Sequence, residues 1–311
     1  MGEGEESAIR VFDRRMVRRH RERAAQARTG HDFLWREVAE RLVDRLADTT
    51  RRFPDALDLG CHDGTLAKAL AASGDAKVER LVACDLAPAM AARAGGLAVV
   101  ADEELLPFAP MSFDLVLSNL SLHWVNDLPG ALIQARLALK PDGLFLAALL
   151  GGETLFELRA ALIEAESEVE GGVSPRISPF ADVRDAGSLL QRAGFALPVV
   201  DRDEIAVTYP DALALMRDLR NMGETNAVAA RRRGFTRRAT LLRAAAIYAQ
   251  RFARPDGRVN ATFQAIYLTG WAPHETQQKP LRPGSARARL ADALGTEDHS
   301  AGDKATPRRG R

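Results

Sequence analysis

Asp58, Gly60 and Gly64 stand in LDLGCHDG (residues 57–64), and Asp85 stands in ACDLAPAM (residues 83–90). Glycines four apart at the end of an apolar run let backbone approach a ligand without a Cβ in the way. A dinucleotide loop, G-x-G-x-x-G, welcomes pyrophosphate at a helix N-terminus. This spacing fails that pattern, and the Asp58 carboxylate would repel phosphate. It would attract an ammonium, such as that of the methionine part of S-adenosyl-L-methionine (SAM). Asp85 is placed to accept the two ribose hydroxyls, Asp102 in ADEELLPF to meet the adenine amino group, and Leu86 and Leu105 to touch the base. Both aspartates could instead cap the turns that follow them. His62 occupies a mid-loop position where glycine is expected, so its side chain must point away from the ligand or flank it.

A second group follows in SNLSLHW: Asn119, Ser121, His123 and Trp124. Asn119 could orient a substrate or the cofactor backbone. His123 is the candidate general base by residue type; the competing reading is that His123 and Trp124 pack the loop against the next helix. The six histidines (20, 31, 62, 123, 274 and 299) are scattered, with no facial-triad motif for iron, so no metal site is expected.

These residues need a scaffold that gathers strand ends. ALDLG, ERLVACDL, GLAVVADEE, SFDLVLSNL and LFLAALL read as strands, with helices between them and LKPDG as a turn. Such alternation predicts an α/β fold, a mostly parallel sheet with helices on both faces. VVDRDEIAVTY and VNATFQAIYLTGWA add two strands, giving seven, with helices over about 211–222 and 236–252. The expected organisation is a disordered start (1–8), N-terminal helices (9–46), a SAM-binding domain (47–274) and a disordered tail (275–311), rich in Pro, Gly and charge.

The chain has 311 residues, is 46% hydrophobic and carries a net charge of +1, which argues against bulk nucleic-acid binding. No apolar run is long enough for a transmembrane segment, which leaves peripheral membrane contact open. Two cysteines, an acidic start without a targeting pattern and no disulfide framework suggest a cytoplasmic protein. Arginine dominates the bases, in RRMVRRHRER (14–23) and RRRGFTRR (231–238). Such runs read first as solvated surface.

Together LDLGCHDG, ACDLAPAM, ADEELLPF, SFDLVLSNLSLHWVNDLPGAL and LKPDGLF resemble a Rossmann-like class I SAM-dependent methyltransferase. LHWVNDLP is similar to the malonyl-carrier-protein methyltransferases of biotin synthesis. GGETLFELRAALIEAE, EGGVSPRISPFADVRDAGSLLQRAGF, DRDEIAVTYPDALALMRDLRNMGETNA and YLTGWAPH resemble the mitochondrial complex I assembly factors described as arginine hydroxylases. The resemblance spans about 9–274 and departs at His62. It implies SAM as cofactor, and modification of an arginine in an iron–sulfur subunit of respiratory NADH dehydrogenase. An ordinary methyltransferase acting on a small or carrier-bound acid, and a non-catalytic assembly chaperone, remain as alternatives. On the arginine reading, Glu153 and Glu224 are candidate guanidinium partners, and Arg176 and Tyr209 candidate lid elements.

Overall fold

The computed structural model describes residues 10–27, 30–180 and 182–278, with 292, 295 and 296. The chain divides into two compact units, Met1–His274 and Glu275–Arg311; the fold below belongs to the first. The disorder expected for 1–8, and for all but a few residues of 275–311, lies outside the described residues.

Seven strands form one sheet: β1 (Phe53–Leu59), β2 (Val78–Asp85), β3 (Leu97–Val100), β4 (Phe113–Asn119), β5 (Leu139–Leu150), β6 (Ala196–Tyr209) and β7 (Val259–Trp271). Their order is β3-β2-β1-β4-β5-β7-β6. The first five pair in parallel, and β7 runs antiparallel to both β5 and β6. The sheet is thus seven-stranded and mostly parallel, as the sequence indicates. One local difference is that β5 starts at Leu139, so LKPDG belongs to the strand rather than to a turn before it. Phe145–Leu150 is buried throughout, the continuous apolar run expected of a strand covered on both faces.

The helices are α1 (Arg14–Ala25), α2 (Phe33–Ala47), α3 (Thr65–Ala72), α4 (Pro88–Ala94), α5 (Leu128–Ala138), α6 (Phe156–Glu170), α7 (Val183–Arg192), α8 (Ala212–Met222) and α9 (Arg238–Phe252). Leu34, Val38, Leu42 and Leu46 recur at helical spacing and share one core with Leu115, Leu117, Leu146 and Phe263. The N-terminal helices therefore complete the core of the sheet domain. Among the described residues no helix is long and apolar enough to cross a membrane.

Chain order reverses between β1 and β4, so the loops leaving them open a crevice at the strands' C-terminal ends. Residues 60–64 and 120–125 lie there. α1 is tied to this edge. Asp13 caps it by accepting from Met16 N at 3.2 Å. Phe12 N donates to Asn126 Oδ1 at 2.7 Å, and the Phe12 ring meets Trp124 edge-on with centroids 5.4 Å apart.

Candidate cofactor and substrate site

Asp58 is completely buried near the end of β1, and neither carboxylate oxygen has a hydrogen-bond partner. Burial, with the Asp85 charge nearby, pushes its pKa up to about 8. A buried carboxyl pair without donors is rare in a folded chain, because its desolvation is uncompensated.

The loop above it turns through two left-handed glycines. A Cβ on Gly60 (φ 75°) would overlap the Ser121 hydroxyl, and one on Gly64 (φ 78°) would lie 2.8 Å from Ala94 Cα. His62 keeps the glycine-like backbone at φ 49°, a conformation that costs a non-glycine residue roughly 1–2 kcal/mol. Its ring is buried and stacks on Trp35 of α2 at 4.4 Å. Its Nε2–H points at the carbonyls of Asn119 and Leu120, both at 3.1 Å. Burial and the Arg21 charge hold the His62 pKa below its ordinary value, so the ring is neutral. The ring is thus packed between α2 and the backbone that leaves β4.

Asp85 ends β2 with three partners. Oδ1 accepts from Ala87 N at 2.8 Å, so the capping role is real. Oδ2 accepts from His62 N at 3.1 Å and from Arg21 Nη1 at 3.3 Å. Arg21, 3% exposed, also donates to Glu103 Oε1 and to Ser121 Oγ, each at 2.7 Å. Ser121 Oγ in turn donates to Glu103 Oε1 at 2.5 Å. Arg14 Nη2 donates to Asp102 Oδ1 at 2.5 Å and to Glu103 Oε2, while its Nη1 donates to the Trp124 carbonyl at 3.1 Å. Burial would raise the Glu103 pKa, but Arg21 and Arg14 overcome it and hold Glu103 far below the carboxylate range.

This overturns one expectation. The run 14–23 is not simply a solvated face, since Val17, His20, Arg21, Ala24 and Ala25 line the buried side of α1. Sequence reasoning missed Arg14, Arg21 and Glu103. The available signal was the seven-residue step from Arg14 to Arg21, which puts both on one helix face with Val17 and Ala24.

The remaining candidates separate. Asn119 is buried; its Nδ2 donates to the Trp35 carbonyl at 2.9 Å and its Oδ1 is unpaired. Leu86 packs against Phe12, Val17 and Trp124, while Leu105 is 76% exposed. His123 is buried in the 3₁₀ turn Leu122–Trp124, its ring against Phe180, which is the packing reading. It also has a chemical partner: Nε2 lies 3.2 Å from Glu224 Oε2, which accepts from Trp124 Nε1 at 3.0 Å as well. Burial would raise the Glu224 pKa, yet the hydrogen bond from His123 outweighs it and holds Glu224 below its ordinary value, so the carboxylate stays ionised. Glu224 thus fixes His123 through Nε2, and His123 Nδ1 is buried and unpartnered. Glu153 is exposed, whereas the Glu224 side chain is only 8% exposed, so the two candidate carboxylates are not equivalent. Tyr209 is no lid: it is buried, and its hydroxyl donates to Asp218 Oδ2 at 2.8 Å.

A family profile described as a methyltransferase domain matches residues 57–147. The YcgJ protein of Bacillus subtilis shares the fold, with a TM-score of 0.51 at 16% identity over 75% of this chain and 98% of that one. Among curated proteins, the mitochondrial arginine-hydroxylase NDUFAF5 of Danio rerio is 47% identical over 91% of this chain and 89% of its own length. The human protein of that name is 46% identical over 89% and 81%. The chain belongs to this family, within the class I SAM-dependent methyltransferases. A malonyl-[acyl-carrier protein] O-methyltransferase of Halorhodospira halophila is 37% identical over 89% of the chain and 94% of its own length. The protein is thus an enzyme of the SAM-dependent superfamily, and SAM is its cofactor. The site fits that cation in one respect that needs no analogy: Asp58 offers two buried oxygens with no other claimant.

Two outcomes follow from the charges. The folded protein holds a proton on Asp58 that the unfolded chain releases near pH 4, so this group costs stability as pH rises from about 4 through about 8. Asp58→Asn is expected to raise the urea midpoint at pH 9 and to change it little at pH 4.5; equal midpoints at pH 9 would refute the buried-acid assignment. Arg21 holds Asp85 Oδ2, so a ligand that took that oxygen would have to displace it, and its apparent affinity would fall with the fraction of chains in the open state. The charge-balanced pair Arg21→Gln with Glu103→Gln should bind S-adenosylhomocysteine at least tenfold faster in stopped-flow measurements.

Proposed function

We propose that this protein hydroxylates an arginine side chain of an iron–sulfur subunit during assembly of respiratory NADH dehydrogenase, acting in the cytoplasm. The observation that carries the reading is the extent of the likeness. Identity of 46–47% to proteins named arginine hydroxylases runs across about nine-tenths of the chain, far past residue 147, where the general methyltransferase profile stops. A second reading, methyl transfer to a carrier-bound acid, is supported by the 37% identity to malonyl-carrier-protein methyltransferases over a similar span.

In either case we assign cofactor binding to Asp58, Gly60, Gly64, Asp85, Leu86, Asp102 and Asn119. On the methyl-transfer reading, bound SAM would supply a methyl group already activated on a sulfonium; hydroxylation instead needs a two-electron oxidant and oxygen source, such as dioxygen with an external reductant. Asp58 would pair with the ammonium, with Asn119 and Leu120 adding carbonyl acceptors once His62 turns out. Asp85 would exchange Arg21 for ribose hydroxyls, and Asp102 would exchange Arg14 for the adenine amino group. Asn119 holds the crevice floor to α2 through Trp35. His123, aligned by Glu224 through Nε2, is the assigned proton acceptor; Asn119 is the second catalytic candidate.

The deciding experiment is mass spectrometry of the iron–sulfur subunit from cells with and without this protein. A gain of one oxygen on an arginine supports the first reading; an unmodified subunit, with a methyl ester formed on a carrier-bound acid, replaces it with the second. The cofactor assignment has its own readout. Asp58 is mostly protonated at pH 7 in the free protein, and pairing with an ammonium ionises it. Calorimetry of S-adenosylhomocysteine binding at pH 7, in buffers of differing ionisation enthalpy, should show proton release that vanishes in Asp58→Asn. The same release in both proteins would remove Asp58 from the site.

A further inference from the structure

Beside the 3₁₀ turn after β4 lies a cavity of about 230 Å³. That is less than the roughly 300–1,000 Å³ of clefts that enclose drug-sized ligands, and suits a single side chain. Leu150, Leu158, Phe180, Met216 and Phe263 form apolar walls. Its charged lining groups are Arg176, Arg220 and Glu224. Arg176 is already neutralised: its Nη2 and Nε donate to Glu166 Oε1 at 2.6 and 3.2 Å. Arg220 is exposed. Thr225 and Asn226, also in the lining, are engaged as well. Thr225 Oγ1 accepts from Arg23, Asn226 Oδ1 accepts from Val228 N, and Asn226 Nδ2 donates to the Pro175 carbonyl.

Glu224 differs. Its side chain is 8% exposed and ionised. His123 and Trp124 both donate to Oε2, and Oε1 accepts no hydrogen bond. A charged carboxylate that lines an apolar cavity, with one oxygen held by two donors and the other open and unpaired, offers a free acceptor to a donor-bearing head group.

We propose that this cavity is a subsite for a guanidinium-tipped aliphatic side chain, with Glu224 as the residue that selects it. The apolar walls take the methylene stem, and Glu224 Oε1 takes the N–H donors of the head. A guanidinium fits better than an ammonium because it is less strongly hydrated and stacks on aromatic faces, which Phe180 and Trp124 supply in the lining. A carboxylate tip would meet Glu224 with like charge. Glu224 is held by His123 and Trp124 of the turn that follows β4, so the cavity's polar end adjoins the cofactor crevice. The inference deepens the arginine reading of this site, but it concerns binding and is measured without turnover. A subunit that gains no oxygen would end the hydroxylation reading and leave the subsite to its own test.

The test titrates the full chain with n-butylguanidinium, n-butylammonium and pentanoate. Calorimetry gives affinity, and the fluorescence of Trp124, with Trp124→Phe as the blank, reports occupancy next to Glu224. The expected result is saturable binding of n-butylguanidinium, tighter than either other probe, weakened at least tenfold in Glu224→Gln. Because that variant also disturbs His123 and Trp124, Met216→Trp is the second. It fills the cavity without touching Glu224 and should abolish binding while leaving the thermal midpoint close to that of the parent. Preference for pentanoate, undiminished guanidinium binding in either variant, or no binding of any probe would overturn the proposal.

Discussion

Burying carboxylates at the C-terminal edge of a parallel sheet is the constraint on which this structure turns. Asp58, Asp85 and Glu103 are all inaccessible to solvent at the ends of neighbouring strands. An isolated buried charge must be paired or neutralised. Glu103 and Asp85 are paired through Arg21 and Arg14 of α1, and Asp58 is neutralised by retaining its proton. Docking of α1 is therefore part of the sheet's electrostatics as well as its packing. Phe12 against Trp124 and the Asp13–Arg231 ion pair fix the helix start to the same edge.

The same pairing closes the crevice. Arg21 stands on the oxygen of Asp85 that faces the loop, and His62 donates to the carbonyls of Asn119 and Leu120. His62 is held in the left-handed region by its stack on Trp35, and Trp35 is held by the Asn119 side chain. Both helices that precede the sheet thus contribute to the loop's closed form. On the proposed assignment, an ammonium would take the place of the Asp58 proton and ribose hydroxyls that of one arginine contact. Glu103 is paired with both Arg14 and Arg21, so it would keep one cation if the other were displaced.

Glu224 links this crevice to the apolar cavity. It orients His123, receives Trp124 and lines the cavity, so one carboxylate reaches both chambers. The two arginine-rich segments serve unlike ends. In α1 they enter the crevice, whereas in the loop before α9 Arg232 pairs with Glu170 while Phe235 stands fully exposed.

The alternation of apolar strand runs with helical periodicity was enough to read seven strands, their mostly parallel arrangement and the loops at 60–64 and 119–124, because burial on both sheet faces imposes a local pattern. The Asp–Gly–Gly spacing and Asp85 also announce themselves, since a strand-loop-helix unit is contiguous in the chain. His62 shows as an irregular letter, yet nothing nearby in sequence says that Trp35 will receive its ring. Glu103 beside Asp102 reads as one more surface acid until Arg21, 82 residues earlier, is folded onto it. The sequence by itself determined the scaffold and the acidic character of its crevice, because both follow from local periodicity and local charge. Only the tertiary structure decided which cations meet those acids and which carboxylate lines the cavity, because pairing of buried charge depends on distances between segments far apart in the chain.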